Sequence, residues 1–216
     1  MRRAFLAFAI ASFTTLLGAN TLSSVGSWRA GVHYSLVEAP QAPTAASGKV
    51  EVNEFFWYGC RHCYALDPVL EEWSGRKAGY IEFVRVPVIW GPENRQHARL
   101  YYTLQALKRM DLHGKVFDAI HQEGMQLTHP DELRARDLQA EFLAGFGIAR
   151  PQFDAAFNSM MVAVKLQRAE QATRALRVDN VPTLFVNGKY STSVGEAGGE
   201  AQLLSLIDEL AASEHP

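Results

Sequence analysis

Cysteine occurs only twice in the 216 residues, and both copies fall within one four-residue stretch, Cys60-Arg61-His62-Cys63. The chain on either side restricts what that stretch can be. Lys49 to Phe56, "KVEVNEFF", is rich in β-formers and reads as a buried strand. After Gly59 the apolar residues switch to helical spacing, with Leu66, Val69, Leu70 and Trp73 on one stripe, and Pro68 falls inside it. The spacing therefore predicts a strand that delivers two thiols, one helical turn apart, to the first turn of a helix. There the first sulfur meets unpaired backbone N–H groups and the positive end of the helix dipole. Both favour thiolate over thiol, so Cys60 is expected to be the attacking group and Cys63 its partner on the packed side. Arg61 places a permanent positive charge beside the pair, and His62 adds one when protonated.

Other uses of the pair fit less well. A structural zinc site wants four ligands, and the chain has no third cysteine. His97, His113, His121 and His129 are spread along helical segments. A purely structural disulfide across so short a loop contributes little loop-closure entropy. The residues favour a redox pair.

Ile81 to Val86, "IEFVRV", reads as a second strand stopped by Pro87, so the opening unit is strand, CxxC, helix, strand. From Arg95 the chain is helical over several segments up to Leu176, broken at Gly114, Gly124, Gly145, Gly147 and Pro151. Strand character returns at Thr183 to Val186. Asn187-Gly188 predicts a hairpin turn, Lys189 to Ser193 a return strand, and "GGEAQLLSLIDELAAS" a terminal helix. Gly195, Gly198 and Gly199 lack the Lys-Ser/Thr of a phosphate loop. The order describes an α/β chain carrying an all-helical insertion.

The N-terminus bears on location. Met1-Arg2-Arg3 followed by the mostly apolar Ala4 to Leu17 has the charged and hydrophobic regions of a secretory signal, the alternatives being an amphipathic first helix or an uncleaved membrane anchor; a cleavage point has Ala19 at −1 but bulky Leu17 at −3. Leu36 to Gly48, "LVEAPQAPTAASG", reads as an extended lead-in, so the bulk of the domain is expected from Lys49. A net charge of −2 and a pI near 6.4 imply no nucleic-acid partner. An exported chain meets an oxidising compartment, where two lone cysteines tend to pair.

Two further features complete the candidate site. Val181-Pro182 precedes the returning strand. An X-Pro bond there, if cis, would set the backbone of Val181 against the disulfide and free it to pair with a substrate strand. A plain trans proline at the first residue of a strand is the simpler reading. Glu54, a carboxylate in an apolar strand, would have a raised pKa if buried and could carry protons during exchange; on a solvated face it would be a surface residue.

"EFFWYGCRHCYALDP", a helical block and then "VPTLFVNGKY", in that order, resemble the DsbA family of periplasmic thiol:disulfide oxidants, over most of the chain from about Tyr34. The resemblance implies a thioredoxin fold with an inserted all-helical domain. Its parts would be a signal at 1–19, an extended segment at 20–48, a discontinuous thioredoxin-like domain at 49–92 and 172–216, and the insertion at 93–171. Carried over, Cys60 is the nucleophile, Cys63 the buried partner, His62 a thiolate stabiliser, Pro182 a cis-proline facing the disulfide and Glu54 the buried acid. Val181 and Arg61 would contact substrate. Val181 before the proline resembles the oxidant type, since the related isomerases usually carry Thr there. The family has Pro-His between its cysteines where this chain has Arg61-His62, which removes an early-helix proline and adds a cation. The expected cofactor is the redox-active disulfide alone, with no metal. The expected partners are unfolded exported proteins and a DsbB-like quinone-linked inner-membrane protein, and the expected state is a periplasmic monomer. A reductase or isomerase, and a peptide-binding chaperone module without redox turnover, are the competing functions.

Overall fold

The computed structural model describes residues 24–40, 46 and 48–216. The expected signal at 1–19 lies outside them. Two short strands, β1 (Ser24–Val25) and β2 (Trp28–Arg29), form an antiparallel pair, followed by β3 (Ser35–Leu36). Then come β4 (Val50–Phe56), α1 (Arg61–Arg76) and β5 (Ile81–Pro87). The helical block holds α2 (Pro92–Leu107), a 3₁₀ turn at Met110–Leu112, α3 (His113–His121), α4 (Glu132–Ala144), α5 (Arg150–Phe157) and α6 (Met160–Ala175). The chain closes with β6 (Thr183–Val186), β7 (Tyr190–Thr192), a single turn α7 (Val194–Ala197) and α8 (Glu200–Glu214).

The main sheet has the order β3-β7-β6-β4-β5, with β4 parallel to β5 and the other pairs antiparallel. The parallel pair needs a crossover, and α1 supplies it. Pro87 is tolerated because β5 is an edge strand and Pro87 its last residue. The hairpin between β6 and β7 turns at Asn187 and Gly188, both at positive φ, as a tight primed turn requires.

Alternation along β4 gives it two apolar faces. Val50 and Val52 pack with Leu184 and Val186 under Leu66, Leu70 and Trp73 of α1 and Leu203, Leu206, Ile207 and Leu210 of α8. Phe55 and Phe185 face the other way, toward Val178 and the end of α6. A third cluster fills the helical block around Leu100, Leu104, Phe117, Leu143, Phe153 and Val162, and it extends to Phe56, Tyr58 and Cys63. One strand thus holds three cores together, and the core of the insertion ends against the second cysteine.

Two expectations shift. Residues 20–48 were expected to be an extended lead-in, yet β3 adds a fifth strand to the sheet and Tyr34 is only 1% exposed within its core. The Tyr34 ring meets Tyr190 edge-on at 5.7 Å, and the Thr192 hydroxyl donates to the His33 carbonyl at 2.8 Å. The sequence conceals this because the strand is two residues long and pairs Ser35 with the distant Ser191 and Leu36 with Tyr190. The helical block also runs to Ala175, so the boundary at 172 cuts through the last turn of α6. Pro68 lies inside α1, which continues past it to Arg76.

If the N-terminal segment is part of the domain, Tyr34→Ala should lower unfolding stability by about 3 kcal/mol, as expected for emptying a large buried aromatic site. Urea denaturation of wild type and variant measures this. A change below about 0.5 kcal/mol, the range of surface substitutions, would show that the segment is only draped on the surface.

Candidate active site

β4 ends at Phe56, and a three-residue turn leads to Cys60, the N-cap residue of α1. Its φ of −89° and ψ of 117° are those of a helix cap, and its sulfur takes the place of the usual capping oxygen. The Cys63 amide donates to Cys60 Sγ at 3.3 Å, and the Cys60 amide donates to the Trp57 carbonyl at 2.9 Å. Both cysteines are free thiols. Cys60 is half-buried, whereas Cys63 is fully buried.

The two sulfurs have opposite acidities. Hydrogen bonding from the Cys63 thiol is the largest influence on Cys60. Partial burial opposes it, while the amides of Cys63 and His62 and the His62 charge assist, and the Cys60 pKa falls from 9.0 to about 6. For Cys63 burial dominates and pushes the thiol well above its ordinary value, with the Cys60 and Glu54 charges adding to the effect. His62 and Arg61 are exposed on the first turn of α1.

The Val181–Pro182 peptide bond is cis. The Val181 carbonyl lies 3.4 Å from Cys60 Sγ, so the returning strand reaches the CxxC across 121 positions of sequence. Pro182 is buried and Val181 half-buried against the same surface.

Glu54 is 2% exposed and sits beneath the pair, within electrostatic range of Cys60 and Cys63. Parallel register sets it opposite Arg85 on β5, and Arg85 Nε donates to it at 3.1 Å. Arg85 also donates to Asp67 at 3.0 Å and Glu71 at 3.1 Å on α1. Asp67 lies 3.1 Å from His113 Nε2 on α3, and His113 Nδ1 lies 2.7 Å from the Tyr58 hydroxyl. Burial pushes the Asp67 carboxyl up, but His113 and Arg85 together hold it below its ordinary value. For Glu54 burial prevails over Arg85, and its pKa rises from 4.5 to about 7. One guanidinium shared between two buried carboxylates does not keep both ionised at low cost.

The helical block contributes more than the scattered histidines of the sequence suggested. His97, His113 and His121 all reach the turn before Cys60. His97 Nδ1 accepts from the Trp57 indole at 2.9 Å, and His121 Nε2 lies 2.7 Å from the Tyr58 carbonyl. Burial drives the His97 pKa down to about 3, which keeps its imidazole neutral and able to accept. Among the described residues no group of three or more His, Cys, Asp or Glu is placed to hold a metal.

All seven site residues named from sequence therefore lie at or around one end of α1. The sequence reading missed Arg85, Asp67, His113, His97, Trp57 and Tyr58. A charged residue in each of two neighbouring apolar strands, Glu54 and Arg85, was a usable signal for the first of these. Cys63, Asp67 and Glu71 at successive i+4 positions were another.

The comparisons with known proteins follow this geometry. A family model described as DSBA-like thioredoxin domain matches residues 51–205. The chain is 37% identical to a Thiol:disulfide interchange protein DsbA of Pseudomonas aeruginosa over 188 residues, covering 87% of this chain and 86% of that protein. It is 36% identical to the protein of that name from Bordetella pertussis over 195 residues, 90% of each. The crystal structure of Pseudomonas aeruginosa DsbA superimposes with a TM-score of 0.77 at 36% identity, covering 85% of this chain and 93% of that one. The oxidoreductase DsbA from Xylella fastidiosa gives 0.75 at 30% identity, covering 84% and 95%.

Glu54 carries a pH-dependent test. Between pH 4.5 and 7 an unfolded chain has lost the Glu54 proton while the folded chain keeps it. Stability therefore falls as pH rises through that window, by up to about 1.4 kcal/mol per unit. Glu54→Gln removes the titration, so its stability relative to wild type should climb from pH 4.5 to 7 and level off above. Urea midpoints across that range measure it, and a difference that stays flat would mean Glu54 is ionised throughout.

Proposed function

Because this chain belongs to the DsbA family of thiol:disulfide interchange proteins, and is a disulfide oxidoreductase that oxidises exported proteins, we propose that the exchange runs through a Cys60–Cys63 disulfide with Cys60 as the sulfur attacked. The observation that carries this reading is the placing of the two sulfurs, Cys60 half-buried at the helix cap beside the Val181 carbonyl and Cys63 fully buried behind it, which gives them opposed acidities. A substrate thiolate attacks Cys60 Sγ, the more accessible of the two. The Cys60–Cys63 bond breaks and its electron pair leaves on Cys63. Cys63 is held far toward the thiol and must gain a proton as it leaves, and Glu54, titrating near 7 within electrostatic range, is suited to supply it. A second substrate thiolate then attacks the substrate's sulfur in the mixed disulfide, and Cys60 departs as a thiolate. Its low pKa makes it a good leaving group. Two substrate thiols lose two electrons and become a disulfide, and the two cysteines of this protein take those electrons.

The same asymmetry sets the direction. Stabilising the Cys60 thiolate stabilises the reduced protein and so weakens the disulfide as a product. For a depressed thiol pKa this stabilisation is complete above pH 9, shrinks between 9 and 6, and is lost below 6. The Val181 carbonyl, beside Cys60 and outside the β6 ladder, is placed to pair with the extended backbone of a substrate. We place the reaction in the periplasm, with the protein working as a monomer and reoxidised by a quinone-linked membrane protein. The N-terminal charge and hydropathy pattern, and a Cys60 sulfur that is only half-buried and so can pass electrons on, support that placement.

Trapping tests the assignment. Cys63→Ser cannot close the site, so an unfolded protein with a single thiol, presented with this variant and an oxidant, should accumulate as a mixed disulfide at Cys60, visible on non-reducing gels and by peptide mapping. Cys60→Ser should trap nothing and should lose oxidase activity. A substrate adduct on Cys63, or oxidase activity in the Cys60 variant, would overturn the roles.

A further inference from the structure

A cavity of about 370 Å³ opens directly beside Cys60. Leu66, Val181, Pro182 and Val194 make its apolar walls, and its two ionisable side chains are His62 and Glu200. Val181, whose carbonyl is 3.4 Å from Cys60 Sγ, is part of its wall, so the cavity lies next to the reacting sulfur, within reach of residues flanking a substrate cysteine.

Glu200 is the first residue of α8 and reaches the cavity wall because Gly198 and Gly199, at φ of 92° and 145°, turn the chain sharply after α7. A side chain at either glycine would be strained there. The Glu200 side chain is exposed, and among the described residues its carboxylate makes no hydrogen bond and no ion pair. The other acids around the active site are committed: Glu54, Asp67 and Glu71 to Arg85, and Asp118 to Tyr64 and Lys115. Glu200 is thus a free negative charge on the wall of an apolar groove.

Resting on the exchange proposed at Cys60, we infer that Glu200 sets substrate choice, by favouring cysteines whose flanking sequence places a lysine or arginine in this groove. The apolar walls accept the aliphatic stem of such a side chain while its charged end meets the carboxylate. A helix-stabilising role for an acid in the first turn of α8 gives no dependence on the charge of the substrate, so the two roles separate experimentally.

The test uses the full oxidised protein and three dithiol peptides, identical except for Lys, Ala or Glu at the positions flanking one cysteine. Oxidation rates are divided by the rate of each peptide with a small-molecule disulfide, which removes the effect of the flanking charge on the thiol itself. Wild type should favour the Lys over the Glu peptide by about two- to five-fold, the range of an exposed ion pair, and the preference should shrink in high salt. Glu200→Gln should abolish it and Glu200→Lys reverse it, each rate being read as a ratio to the Ala peptide of the same variant. Equal corrected rates for all three peptides, or a Glu200→Gln protein that keeps the wild-type preference, would overturn the role of Glu200 while leaving the exchange at Cys60 standing. Failure to oxidise any peptide would overturn both.

Discussion

The hydrogen bond from the Cys63 amide to the sulfur of Cys60, with the Cys63 thiol beside it favouring the thiolate further, sets the chemistry of this molecule. It exists because four residues separate the end of a strand from the start of a helix, and the last of them, at the capping position, is a cysteine. The same turn of helix that lowers the pKa of one sulfur carries the other into the core, where burial raises its pKa. A pair built this way is unequal before any substrate arrives. One sulfur is accessible and leaves readily as an anion, and the other is hidden and must be protonated.

The inserted helices maintain that inequality. Their apolar cluster ends on Phe56, Tyr58 and Cys63, which closes water away from the second sulfur. Their histidines fix the turn before Cys60: His97 holds the Trp57 indole, His121 meets the Tyr58 carbonyl, and His113 meets both the Tyr58 hydroxyl and Asp67. Through Asp67 and Arg85 this contact is joined to Glu54, so the acid on the central strand and a histidine of the helical block belong to one chain of polar contacts. The buried network is anchored on β4, α1, β5 and α3, and it spans both lobes.

Much of this was legible in the sequence. The strand, the CxxC and the helix follow from local periodicity, and the turn at Asn187-Gly188 from backbone preference. The convergence of Val181-Pro182 on Cys60 was reached through the order of motifs, and local pattern alone favoured a trans bond. What stayed hidden was long-range and polar. The pairing of β3 with β7 joins two stubs too short to leave a periodic signal. His97, His113 and His121 looked dispersed because helical packing, not spacing, brings them together. Arg85 finds its partner only through parallel register, which sets it against Glu54.

The acidity of Cys60 tests the central claim most directly. Thiolate absorbance of the fully reduced protein should titrate with an amplitude of one thiolate and a midpoint near pH 6, Cys63 remaining protonated across the range. A midpoint near 8.5, the value of a free cysteine, would contradict it, since the end of α1 would then give the reduced protein no advantage over its disulfide.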